Sequence, residues 1–162
     1  MSSGVKVHES VDEYVQKMLM PSKGAKEDRL KVVIMRLNDK KDSIIVDEEN
    51  TKYLKDFKDS DDVFKEVMKL FKKEQCCYAV YDCFYETKDC SGKEELVFIS
   101  WCPDDASLRD KMIYGASTNG VKGRFPSIKH HLQMNDSGDK TSDGVLDKLG
   151  KGRVVQLEGK PV

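Results

Sequence analysis

An excess of charge of either sign is missing from this chain: 28 Lys and Arg stand against 29 Asp and Glu, a formal net charge of −1. Whole-chain electrostatics therefore gives no argument for a nucleic acid or a membrane as partner, and any basic contact surface has to be local. No run of apolar residues is long enough to cross a bilayer. The start, "MSSGVKVHES", lacks the apolar core of a secretory signal. The five cysteines (Cys76, Cys77, Cys83, Cys90 and Cys102) are odd in number, and no two have zinc-type or C-x-x-C redox spacing. Three lie in or beside apolar runs, where free buried thiols are common. Together these absences point to a reducing, intracellular compartment. Also missing are G-x-S-x-G, the P-loop, G-x-G-x-x-G and H-E-x-x-H, along with internal repeats and long low-complexity segments.

What is present fits one domain with one core across 162 residues. The hydrophobic fraction of 38% and charged fraction of 35% are polar for a globular chain, but several clear apolar runs exclude general disorder. Residues 1–7 read as a mobile arm. Val11, Tyr14, Val15, Met18 and Leu19 recur at helical spacing, with Ser10 as the expected cap and Glu13 three residues on. "SKGAKEDR" reads as a charged loop. "LKVVIMRL" (30–37) and "SIIVD" (43–47) read as strands around a turn, and "SDDVFKEVMKLFKK" (60–73) as an amphipathic helix. "CCYAVYDCFYE" (76–86) is apolar on both faces and so belongs in the middle of a covered sheet; "ELVFISW" (95–101) is its hairpin partner. Strands at 128–134 and 153–159 flank a short helix at 141–149. The pattern predicts an α/β fold with a mixed sheet and helices on both faces.

Catalytic readings find little support. His130 and His131 are adjacent on a strand, so they point to opposite faces and only one can join a site with a thiol. Asp61–Asp62 and Asp104–Asp105 stand at expected helix starts, where carboxylates serve the dipole better than acid–base chemistry. A metal centre needs more ligands than two histidines and scattered thiols. No enzyme, cofactor or metal is expected.

The segment from Asp104 to about Phe125 is the informative one. On a helical wheel of about 100° per residue, Ala106, Ile113, Tyr114, Ser117, Val121 and Phe125 form a core arc. The opposite arc holds Leu108, Met112, Gly115 and Asn119, flanked by Arg109, Lys111 and Lys122. Apolar residues framed by cations on the water side fit a docking helix, although scattered surface apolar residues are also normal. Gly115, Gly120 and Gly123 each cost about 1 kcal/mol relative to Ala in a helix interior. The helix is therefore expected to fray or bend after Asn119.

"KEELVFISWCPDDASLRDKMIYGAS", preceded by "YAVYDCFYETK", resembles the signature of the ADF/cofilin family of actin-depolymerising proteins. "MSSGVKV" and "VVQLEGKPV" at the ends match as well, so the likeness covers nearly the whole chain. It implies an ADF-homology fold with a central mixed sheet of five to six strands, and a protein that binds monomeric and filamentous actin, prefers the ADP form, severs filaments and depolymerises them. A same-fold relative that mainly sequesters monomers, or binds actin-related complexes with weak severing, is the alternative.

Carried over by position, the resemblance puts the monomer- and filament-binding surface at Ser3, Gly4 and Val5 of the arm and at Leu108, Arg109, Lys111 and Met112 of the long helix. The filament-specific surface falls on Lys88, Lys93, Glu95, Asp147, Lys148 and Lys151, and Glu95 departs from members with a cation there. Ser3 matches the family's phosphorylation site, which implies a kinase and a phosphatase as partners; Ser2 is the weaker match. Phosphoinositide headgroups are implied at Arg109, Lys111, Lys122, Lys129 and His130. His130 with Glu95 matches a pair that makes some members pH-sensitive. The resemblance also implies a monomer of the cytoplasm and cytoskeleton with no nucleic-acid partner. Glu27 and Asp28 interrupt the basic run at 22–31 that serves nuclear import in vertebrate members.

Overall fold

Two long apolar strands set the middle of the fold. The computed structural model describes residues 4–21, 24–89, 92–141, 144–146, 149 and 154–161. The strands are β1 (Lys6–Val7), β2 (Leu30–Leu37), β3 (Ser43–Val46), β4 (Lys52–Tyr53), β5 (Cys77–Thr87), β6 (Lys93–Trp101), β7 (His130–Met134), β8 (Val154–Leu157) and β9 (Lys160–Pro161). The helices are α1 (Glu9–Leu19), α2 (Val63–Met68) and α3 (Leu108–Lys122), with short 3₁₀ helices at Lys26–Asp28, Leu54–Phe57 and Ser137–Lys140. Residues 144–146 and 149 are also helical.

One sheet runs β1-β3-β2-β5-β6-β7, with β4 on β2, β8 on β5 and β9 on β8. The β1–β3 and β6–β7 pairs are parallel and the others antiparallel, so the sheet is mixed as expected. Its nine strands exceed the five or six anticipated because β1, β4 and β9 are two-residue pieces without a periodic signal of their own. β5 is central and pairs with Val32–Met35 of β2 on one side and with all of β6 on the other.

Alternation along β5 splits the core. Tyr78 and Val80 face a cluster completed by Val11, Val15 and Met18 of α1 and by Tyr114, Val121 and Phe125. Ala79, Tyr81, Cys83 and Tyr85 face the opposite cluster, with Phe64, Val67 and Met68 of α2 and with Val145. Helices thus cover both faces. Each fully buried large apolar side chain contributes about 1.5–3 kcal/mol to folding.

Several local expectations change. The cap of α1 is His8, whose Nδ1 accepts from the Ser10 N–H at 3.0 Å; Ser10 is not the cap. Lys6 and Val7 leave the expected arm and pair with Ser43 and Ile44. α2 starts at an Asp62 cap but stops at Met68, well short of Lys73, because the chain turns so that Phe71 also reaches the core. Positions 142, 143, 147 and 148 of the expected 141–149 helix and residue 153 of the last strand lie outside the described residues. The β8–β9 loop is Glu158–Gly159 with φ of 50° and 83°, the double positive-φ turn that suits a tight hairpin.

Candidate docking surface

α3 is held at its start, along its inner side and at its end, which leaves one edge free. Its cap is Ser107, whose Oγ accepts from the Asp110 N–H at 3.1 Å. Asp104 and Asp105 are therefore not its first turn, as the sequence suggested. They form a tight turn before it: the Ala106 N–H bonds the Pro103 carbonyl at 3.1 Å and the Asp104 N–H bonds the Asn135 carbonyl at 3.2 Å. On the inner side the Tyr114 hydroxyl accepts from the Leu37 N–H at 2.8 Å, and the Tyr78 hydroxyl donates to the Tyr114 carbonyl at 2.5 Å. Burial pushes both phenols above their ordinary range. They stay neutral and act as fixed hydrogen-bonding posts between sheet and helix. Past the end of α3, Arg124 bonds the Asp12 carboxylate of α1 through its Nε at 3.2 Å and its Nη2.

The helix does not fray after Asn119. It stays regular to Lys122, and the Gly123 N–H bonds the Asn119 carbonyl at 2.9 Å. Val121 and Phe125, both buried, hold that last turn in place against the cost of the glycines.

The wheel holds over α3, while Ala106 and Phe125 reach the same core from just outside the helix. Ala106, Tyr114, Ser117, Val121 and Phe125 are buried and Ile113 is half-buried. Leu108 is 71% exposed and Met112 66%. Four residues apart, the two side chains lie on one line along the helix, and Gly115 continues it over a total of about 10 Å. A Cβ at Gly115 would meet nothing within 4 Å, so no packing inside this protein requires glycine there. Arg109 is exposed and makes no ion pair among the described residues. The Lys111 Nζ donates to the Asp104 carbonyl at 3.0 Å, which leaves its charge uncompensated beside Met112. The edge is apolar in the middle and cationic at the rim.

A contact that the sequence did not suggest ties the arm to this edge. The Lys6 N–H bonds the Asp42 carbonyl at 3.0 Å, which starts the pairing of β1. The adjacent Lys41, at φ 59°, places its Nζ 2.5 Å from an Asp110 carboxylate oxygen in the first turn of α3. Val5 packs against the core just before β1 and Gly4 sits at φ 78°. The "NDKKD" turn thus connects the Gly4–Val5 stretch to the start of α3, and no periodicity marks it in the sequence. Ser3 lies outside the described residues.

The other nominated residues that are described lie away from this edge's first turn. Lys88 is exposed beside the β5–β6 loop, and Lys93 and Glu95 lie on β6. Asp147, Lys148 and Lys151 lie outside the described residues. The Glu95 carboxylate meets His130 Nε2 at 2.5 Å, so the matched pair is in contact. Lys129 and His130 border a hollow shared with Leu19, Leu96 and Ile128. Along the helix axis Arg109 and Lys122 are about 20 Å apart, so the phosphoinositide set divides into a group at the start of α3 and one near its end and β7.

Comparison with known proteins gives consistent matches. The profile of cofilin/tropomyosin-type actin-binding proteins matches residues 4–150. A cofilin from Streptomyces griseoflavus is 29% identical, with a TM-score of 0.71 over 92% of this chain and 99% of that one. The ADF-like UNC-60A protein of Caenorhabditis elegans is 26% identical, with a TM-score of 0.69 over 93% and 97%. Actin depolymerization factor 2 of Plasmodium berghei shares the fold at 19% identity, with a TM-score of 0.75 over 92% and 99%.

Proposed function

The chain belongs to the cofilin/ADF family of actin-binding proteins, and from that premise we propose that it binds actin monomers and filaments through the outer edge of α3, prefers the ADP form, and severs and depolymerises filaments. The observation that carries this reading is the exposure of Leu108 and Met112 between Arg109 and Lys111. An apolar helix edge of this width enters a hydrophobic groove, and the cations at its rim meet acidic residues around that groove. The turn that pairs with Lys6 also reaches Asp110 in the first turn of α3 through Lys41, which supports a surface made of arm and helix together. The action is stoichiometric binding in the cytoplasm and cytoskeleton, not turnover of a substrate.

Two regulators follow from the same surface. Phosphate on Ser3 adds roughly two negative charges next to the arm and repels an acidic partner. Phosphoinositide headgroups at Arg109 and Lys111 compete with actin, and Lys122, Lys129 and His130 form a second contact. On the filament side Glu95 brings an acid, not a cation, and its charge is engaged by His130. That favours weaker severing and keeps a mainly monomer-sequestering role as the second reading.

Co-pelleting with filaments and a monomer-binding titration test the docking claim. Wild type should bind both, and the Arg109→Ala, Lys111→Ala double variant should lose at least about tenfold in affinity. Equal binding by the two proteins refutes the docking edge. Microscopy that counts filament breaks against end-wise shortening separates severing from sequestering. A Ser3→Glu variant that binds monomer as tightly as wild type refutes control at that serine.

A further inference from the structure

Lys41 is one of two non-glycine residues with positive φ among those described, at 59°. A side chain is strained in that left-handed region, and turns favour glycine or asparagine there. Its ammonium nonetheless has a definite partner: Nζ lies 2.5 Å from an Asp110 carboxylate oxygen of α3, 69 residues away. We propose that Lys41 is a positioning residue for the actin surface, which locks the first turn of α3 and the base of the arm into one register so that they engage the partner together. The proposal rests on the reading of that edge as the actin contact.

The first turn of α3 needs such a tie. Helix ends leave N–H groups without intrahelical partners, and they fray unless something holds them. No residue from Leu108 to Met112 is buried, and the inward anchors of the helix begin only with half-buried Ile113 and buried Tyr114. The Ser107 cap and the Lys111 bond to the Asp104 carbonyl are local to the helix entry. Among the described residues, the Lys41–Asp110 pair is the ion pair that ties this turn to another element. At about 100° per residue, Asp110 stands about 180° from the midpoint of Leu108 and Met112. A carboxylate held on the inner side therefore sets the rotation of the turn, and with it the direction of Leu108, Arg109 and Met112.

The same turn holds the base of the arm. The Lys41 N–H bonds the Asn38 carbonyl at 3.0 Å. Asn38 Oδ1 accepts from the Asp42 N–H at 3.1 Å and from the Ser43 N–H at 3.2 Å, and its Nδ2 donates to the Asp42 carboxylate at 2.8 Å. The Asp42 carbonyl in turn receives the Lys6 N–H. Asp110, Lys41, Asp42 and Lys6 thus form one line of contacts from helix to arm. Two patches on one rigid frame bind with the second event intramolecular, at a high effective concentration. When the frame loosens, each patch keeps its own chemistry and the two lose that advantage.

Lys41→Gly is the main variant, because glycine takes the positive φ freely and lacks the ammonium. Filament pelleting and a monomer titration should show binding several-fold weaker than wild type. The unfolding midpoint should stay close to that of wild type, since the two side chains are 35% and 30% exposed and such pairs add little to global stability. Wild-type affinity in Lys41→Gly, or a fall in affinity matched by a fall in the midpoint, overturns the proposal. Lys41→Glu should bind more weakly still, and the addition of Asp110→Lys should recover most of the loss. No recovery would mean that the charge at position 41 acts on the partner directly, which overturns a positioning role. Amide exchange of the free protein reads the linkage without actin. Asp110→Asn should speed exchange of the Lys6 N–H several-fold, although the two residues share no hydrogen bond or ion pair. Unchanged exchange at Lys6 also overturns the proposal. If wild type itself fails to pellet, the actin reading fails, while exchange at Lys6 still decides whether the pair couples helix and arm.

Discussion

α1 and α3 pack on the same face of the sheet, yet their outer sides differ in kind. The exposed positions of α1 are Glu9, Glu13, Gln16 and Lys17, all polar, while Val11, Val15 and Met18 are buried. This is the division that burial alone produces. α3 buries Tyr114, Ser117 and Val121 but exposes Leu108 and Met112 along with Arg109. It is held by the Ser107 cap, by the Tyr114 and Tyr78 hydroxyls and by the Lys41–Asp110 pair, much as α1 is held by the His8 cap, by the Tyr14 hydroxyl on Glu48 and by the Arg124–Asp12 pair. A helix that only completes a core does not need the exposed apolar line. α1 is built for stability, and α3 is built to present a surface in a fixed place.

The largest expected effect falls on the stability helix. Met18→Ala leaves a cavity under α1 and should cost about 2–5 kcal/mol in denaturant unfolding, with actin affinity per folded molecule unchanged. A drop in affinity of the same size as that from an α3 variant would erase the contrast. Tyr114→Phe strands the buried Leu37 N–H and should cost about 1–3 kcal/mol. Because this bond positions α3, it should also weaken actin binding several-fold; unchanged binding would show that the posts serve stability alone.

The floor beneath both helices is the next target. Asp82 lies on β5 on the same side as Tyr78 and Val80, and burial first of all raises its carboxyl to about 6, opposed by Lys31 and Arg29 and helped by Glu94 and Glu158. The folded state therefore holds this proton more tightly than the unfolded chain. The associated stability is fully present below the ordinary carboxylate value of 3.8 and is lost as pH rises through about 6. Asp82→Asn should remove that loss, gain about 1–2 kcal/mol near neutral pH after allowance for partial screening, and leave actin affinity alone. A pH profile of unfolding identical to wild type would contradict it.

The smallest effect is the sharpest on α3 itself. Gly115→Ala and Gly120→Ala each have open space for the methyl group and should stabilise the helix by up to about 1 kcal/mol. If actin approaches closely at Gly115, only the first should also weaken binding. Equal binding by both would leave Gly115 without a role in docking.

Much of this was legible in the sequence. "LKVVIMRL" is β2 with the same bounds, and the two arcs of α3 follow from spacing alone, because one is buried by a sheet that the strands themselves imply. The caps were not legible. Asp104 and Asp105 looked like a helix start, but Pro103 and the bond to Asn135 turn the chain first, and Ser107 satisfies the first free N–H groups. The regularity of α3 past Asn119 defied its glycines because Val121 and Phe125 are buried, and tertiary packing outweighs propensity. The Lys41–Asp110 link joins residues 69 positions apart and has no local signature. The positions of the resemblance that fall on the free edge of α3 are those the wheel had already isolated. The filament-side positions carry no such pattern, and three of them lie outside the described residues.

The central claim is that the Leu108–Met112 edge is kept for a partner and not for the fold. Filament co-pelleting of the Leu108→Asp, Met112→Asp double variant, with its unfolding midpoint measured alongside, tests it most directly. The account predicts a loss of about tenfold or more in affinity with stability within about 0.5 kcal/mol of wild type, since both side chains already stand in water. Wild-type binding by the folded variant would contradict it.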